Sequence, residues 1–170
     1  PKNSYLRDIF VFASFTALSF VDIKELSNDQ IVEVNGEKWI ISKRHKTGVP
    51  FQVKLLDIPL QIIERYKAFQ ENNLVFPNLN YWSICKRMGK MIKECGITKK
   101  ISFHCSRHGF ATLALSKGMP IESVSRILGH TNIETTQIYA KITVQKLDND
   151  LTMLGDKLSK SFGNVKMSGI

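Results

Sequence analysis

The chain has 170 residues, long enough for one domain with a full hydrophobic core. Hydrophobic and charged fractions of 43% and 23% are ordinary globular values and set aside a disordered or fibrous chain. The cations are in excess, 24 Lys and Arg against 15 Asp and Glu, and the resulting +9 and pI near 9.5 point to a polyanion, nucleic acid before membrane.

From Tyr5 to Leu18 apolar residues (Leu6, Ile9, Phe10, Ala13, Ala17) are spaced as in a helix buried on most sides. The longest apolar run, Ile9 to Leu18, contains Ser14 and Thr16 and is too short and too polar to span a bilayer. The opening PKNSYLRDIF has neither an initiator Met nor a signal-peptide cleavage pattern, so the chain reads as a fragment of a longer protein. The period then changes. Ile31, Val32 and Val34, then Trp39, Ile40 and Ile41, flank Asn35-Gly36, the pair that a tight type I′ hairpin favours. A third strand is expected over Phe51 to Leu55, and Asp57 with Pro59 opens a helix running from Leu60 to about Glu71.

The remainder reads as helices: Tyr81 to Cys95, Phe103 to Lys117 with Gly118 as a stop, and Ile121 to Leu128 opened by Pro120. Thr131 is expected to cap a short stretch leading to Tyr139. Thr143 then caps a last helix with Leu147, Leu151, Leu154 and Leu158 on one stripe. The tail from 161 to 170 is expected to be loose. The whole is an α+β chain, mainly α-helical, with a small three-stranded antiparallel sheet. Three cysteines, Cys85, Cys95 and Cys105, lack CxxC spacing, which argues against a disulfide framework or zinc ribbon and for a reducing compartment.

Charge is concentrated in two stretches. Between Lys38 and Leu56 stand Lys38, Lys43, Arg44, Lys46 and Lys54 with no acid, and between Tyr81 and Phe110 stand seven cations against Glu94. A solvated face usually mixes signs, so Lys43, Arg44, Lys86, Arg87 and Lys90 are expected to track nucleic-acid phosphates. In FHCSRHGFATLAL, His104 and Arg107 lie one helical turn apart, so a planar guanidinium fork and a titratable ring reach one point. His104 and His108 also have the i, i+4 spacing of two metal ligands, but the glutamate of H-E-x-x-H and a third ligand are missing, so no metal is expected.

These elements, in this order, resemble the tyrosine recombinases of the phage-integrase family. FHCSRHGFATLAL is similar to the family's H-x-L-R-H-T-F-A-T box, and SVSRILGHTNIETTQIYAKI to its L-G-H-x-x-x-x-T-T-x-x-Y box. HKTGVPFQV resembles the hairpin that carries the family's catalytic lysine, and the resemblance runs from about Ile9 to Leu158, with conjugative-transposon integrases among the relatives. It implies a tyrosine-recombinase catalytic fold over residues 1–160, with N-terminal DNA-binding domains outside the fragment. It implies Tyr139 as nucleophile on a DNA phosphate, Arg107 and His130 on the non-bridging oxygens, Lys46 as acid to the leaving 5′-oxygen, and His104 in proton exchange or phosphate contact. It implies no cofactor, because the covalent link conserves the phosphodiester energy. As partners it implies double-stranded DNA and a homotetramer assembled on it by C-terminal helix exchange, in the bacterial cytoplasm near the nucleoid and not at a membrane.

One position departs from the family. TALSFVDI matches the T-G-L-R-x-x-E segment with Ser19 in the arginine slot and Asp22 in the acidic one. Ser19 can hydrogen-bond a phosphate but brings no charge. Another cation is therefore expected to fill in, Arg7 first and Lys24 second. Two other readings stay open here: a weakened relative that binds DNA without cutting, and a type IB topoisomerase.

Overall fold

The structure, a computed structural model, describes residues 2–140 and 144–162. Helix α1 spans Lys2–Thr16 and buries Leu6, Ile9 and Ala13 of the positions read from the sequence, together with Phe12, which the reading passed over, while Phe10 is half-buried. It stops two residues short of the expected Leu18 because Ala17 takes a left-handed φ of 57°. Ser19 then caps a separate short helix, α2 (Phe20–Lys24). Its side chain accepts from the Asp22 amide while the Asp22 carboxylate accepts from the Ser19 amide, a reciprocal capping box.

After a 3-10 turn at Asn28–Gln30 come β1 (Ile31–Val34), β2 (Glu37–Lys43) and β3 (Pro50–Lys54), an antiparallel sheet in that order. Asn35 and Gly36 both have positive φ, 53° and 75°, as the type I′ turn requires, and Val34 pairs with Glu37 across it. Ser42 pairs with Phe51, which fixes the register of the second hairpin. Helix α3 (Asp57–Tyr66) is shorter than expected, because its last turn tightens into a 3-10 turn over Lys67–Phe69. Helix α4 (Tyr81–Glu94) starts at Asn80, whose side chain accepts from the Ser83 amide.

Helices α5 (Cys105–Ser116), α6 (Ile121–Leu128) and α7 (Glu134–Gln137) follow. Thr131 does not cap α7, whose N-cap is Ile133 without a side-chain cap; one residue earlier, the Asn132 side chain accepts from the Glu134 amide at 2.9 Å. The core lies where α1 packs against α3, α4 and α5, closed by the inner face of the sheet and by Val75, Phe76 and Phe103. Asp8, buried on α1, accepts from Arg65 at 2.6 Å and from the Tyr66 hydroxyl at 2.9 Å, tying α1 to α3.

The chain clusters into two compact units, residues 1–139 and 140–170. The second holds α8 (Val144–Phe162), which continues two residues into the expected tail. Leu147, Leu151, Leu154 and Leu158 are each 46–58% exposed on it. Thr143 and residues 163–170 lie outside the described residues. Among the described residues, no helix is long and apolar enough to cross a membrane.

Candidate active site

Asp22 organises one wall of an open cleft. Its buried carboxylate accepts from Arg44 Nη1 at 2.7 Å, from the His45 amide at 3.0 Å and from Ser19 Oγ at 2.8 Å. Burial alone would raise its pKa, but the His45 amide, the Arg44 charge and these hydrogen bonds hold it below the ordinary carboxylate value. The same contacts anchor the loop between β2 and β3, closed on itself by Arg44 N–H to Val49 O at 2.8 Å and Gly48 N–H to Arg44 O at 2.7 Å. Lys46 stands exposed on this loop and lines the cleft.

Arg44 is a correction to the sequence reading. Expected on the DNA-facing surface, it is only 5% exposed, drawn inward by the Asp22 charge and by the Phe51 ring, 3.9 Å from its guanidinium carbon. Its Nη2 donates to Ile127 O, while Arg107 on α5 donates through Nη2 to Leu128 O and through Nη1 to Ala17 O at 2.8 Å. Two arginines thus take up the last carbonyls of α6, which a helix C-terminus leaves without partners. Burial and the Arg44 charge pull the Arg107 pKa down to about 10, opposed by Asp22 and Tyr139.

The chain leaves α6 through Gly129, at a left-handed φ of 63°. A Cβ there would lie 2.8 Å from Arg44 Cγ. His130 follows, its amide on Ser125 O at 3.1 Å and its Nδ1 paired with the buried Thr136 hydroxyl at 2.9 Å, which orients the ring. Burial first, then Arg107 and Arg44, hold His130 below the usual histidine pKa. His104, at the start of α5, is lowered by burial, then by His108 and Arg107. Tyr139 comes just after α7, and its hydroxyl lies 2.5 Å from His108 Nδ1. Burial raises the phenol pKa and Arg107 opposes the rise.

The fold therefore brings Lys46, His104, Arg107, His130, Asp22 and Ser19 to one cleft of about 1030 Å³, joined by Arg44 and Lys24. Tyr139 stands beside it through His108, whose ring meets that of His104 edge-on at 4.4 Å. Ser19 spends its hydroxyl on the α2 cap. Arg7 is not in the cleft; it pairs with Asp8 at 2.8 Å, because α1 carries it to the α3 side. Lys43, Lys86, Arg87 and Lys90 are exposed, with Lys90 3.7 Å from Glu94. Among the described residues, no three His, Cys, Asp or Glu side chains gather as metal ligands would. Sequence reasoning missed Arg44 as a cleft residue, Thr136 as a support for His130, and His108 as the partner of Tyr139.

Residues 1–146 match the model of the phage integrase family. The chain is 31% identical over 139 residues to tyrosine recombinase XerA of Pyrococcus horikoshii, covering 74% of this chain and 47% of that protein. It is 36% identical over 120 residues to tyrosine recombinase XerD of Listeria monocytogenes, covering 66% of this chain and 39% of that protein. The chain thus spans about half the length of the first of these curated relatives and less of the second. Among solved structures, the Tn1549 transposon integrase in complex with circular intermediate DNA superposes with a TM-score of 0.70 at 17% identity, over 87% of this chain and 57% of that one. The fold is that of these recombinase catalytic domains.

Proposed function

Because the chain belongs to the phage integrase family, we propose that it is the catalytic part of a site-specific recombinase that cuts and rejoins double-stranded DNA. Tyr139 attacks a phosphorus and forms a 3′-phosphotyrosyl bond while the bond to the 5′-oxygen breaks. Lys46 gives that oxygen a proton. Arg107 and His130 hold the non-bridging oxygens as charge builds, with His104 in the same cleft. Asp22 acts through Arg44 and the Lys46 loop rather than on the DNA.

Arg44 is the cation that fills the place Ser19 leaves uncharged. It stands close enough to Arg107 to depress that residue's pKa, while Asp22 is bonded to Arg44 and acts on Arg107 through its charge. Two neighbouring guanidiniums with one carboxylate on Arg44 leave a net positive site that a phosphate would complete. With a second arginine in the cleft, the reading as a relative that binds without cutting loses its motive. Lys43, Lys86, Arg87 and Lys90 would track the backbone of the duplex. The exposed leucine stripe of α8 supports docking on a neighbouring protomer, in a tetramer formed on DNA. Such a protein would work in the bacterial cytoplasm, at the nucleoid.

The observation that carries the reading is the convergence of Lys46, His104, Arg107 and His130, from three separate segments, on one cleft beside Tyr139. A nicked suicide duplex tests it. The full-length protein is expected to trap itself on the DNA as a denaturation-resistant adduct. Tyr139→Phe is expected to bind DNA with nearly unchanged affinity and give no adduct, since one hydroxyl adds little to a phosphate-dominated interface. Adduct formed by that variant would remove Tyr139 from the chemistry.

A further inference from the structure

Attack by Tyr139 requires its proton to go somewhere. The resemblance offers His104, the histidine one turn before Arg107. In the structure His104 lines the cleft, while the ring that meets the phenol is His108, four residues on along α5. The Tyr139 hydroxyl lies 2.5 Å from His108 Nδ1, with ring centroids 5.2 Å apart. His108 is half-buried, and Tyr139 is held in register with it by Tyr139 N–H to Thr136 O at 3.0 Å.

We infer that His108 is the general base of strand cleavage, a role that rests on the recombinase reading above, and that His104 serves the phosphate. With the imidazole proton on Nε2, Nδ1 accepts the hydroxyl. As the phenol oxygen bonds to phosphorus, its O–H bond breaks and an Nδ1–H bond forms; the P–O5′ bond breaks and Lys46 protonates the departing oxygen. Rejoining runs the steps backward. The 5′-hydroxyl returns its proton to Lys46, and Nδ1–H returns the other to the leaving phenolate, so the cycle gains and loses no protons. A base is needed here because burial favours the neutral phenol over the phenolate. His104 and His108 meet edge-on, so a proton taken by His108 arrives beside a second ring whose pKa is lowered by burial first, then by His108 and Arg107.

The test separates a base from a support. His108→Asn keeps an oxygen that can accept the Tyr139 hydroxyl but cannot take its proton at neutral pH. Suicide-substrate cleavage by this variant of the full-length protein is expected to fall by about 10²-fold or more, with duplex affinity unchanged. Replacing Tyr139 with a ring-fluorinated tyrosine, which ionises at lower pH, is expected to restore the rate of His108→Asn to within a few-fold. The same replacement in His104→Asn is expected to restore nothing. Near-normal cleavage by His108→Asn, no recovery with the fluorinated ring, or recovery in the His104 variant instead would overturn the role of His108. No adduct from the unaltered protein would overturn the recombinase reading itself, and this role with it.

Discussion

Asp22 sets the charge balance of the cleft, since it is the carboxylate bonded to a buried arginine there. Asp22→Asn would leave Arg44 buried and uncompensated, at a cost of about 3–5 kcal/mol at neutral pH. The folded pKa of Asp22 lies below its unfolded value near ~4, so the stabilisation is complete above that pH and fades as pH falls through the folded value. Urea unfolding should therefore show a wide gap between parent and variant at pH 7 that narrows below about pH 4; a gap of constant width would rule the linkage out. Arg44 admits a second test. Arg44→Lys keeps a charge beside Asp22 but loses the planar fork, and cleavage should fall at least about tenfold while the fold survives. Adding Ser19→Arg should recover much of that loss; if it recovers none, Arg44 does not stand in for the missing arginine. The gathering of Arg107, His104, His130 and Lys46 at one cleft was legible because each lies in a short motif with fixed local spacing. Arg44 and His108 were not, because what makes them matter is a partner 22 or 31 residues away that only folding brings near.

At the scale of elements, the sheet could be read closely because Asn35-Gly36 dictates its own turn and alternation fixes the register. The end of α1 could not, since nothing in TALSF announces that an alanine will turn left-handed and hand a cap to Ser19. Gly129 joins an element boundary to the chemistry. Gly129→Ala adds left-handed strain, roughly 1 kcal/mol, and drives a Cβ into Arg44. Gly36→Ala suffers the same kind of strain at φ 75° but meets nothing within 4 Å. Both variants should lose thermal stability, and Gly129→Ala alone should lose cleavage as well. Equal cleavage by the two would show that Arg44 accommodates the extra methyl.

For the whole molecule, α8 is the element that its own unit leaves unsatisfied. Covering the exposed half of four leucines on one helix is worth about 3–6 kcal/mol of apolar transfer, which contributes to assembly after ordering costs. Truncation after Lys146 should leave binding to a single site intact and abolish pairing of two sites in a native gel. Normal pairing by the truncated protein would reduce the stripe to local packing. The loop between β2 and β3 bears on how such an assembly keeps time. It carries Arg44 and Lys46 with one residue between them, whereas the family pattern puts the first arginine on a different segment from the lysine. Under the proposed roles, any excursion of this loop would withdraw a phosphate ligand and a proton donor in one movement. A protomer waiting its turn would then be idle for two independent reasons from a single displacement, and the order of strand exchange would follow where the six residues of one hairpin loop lie.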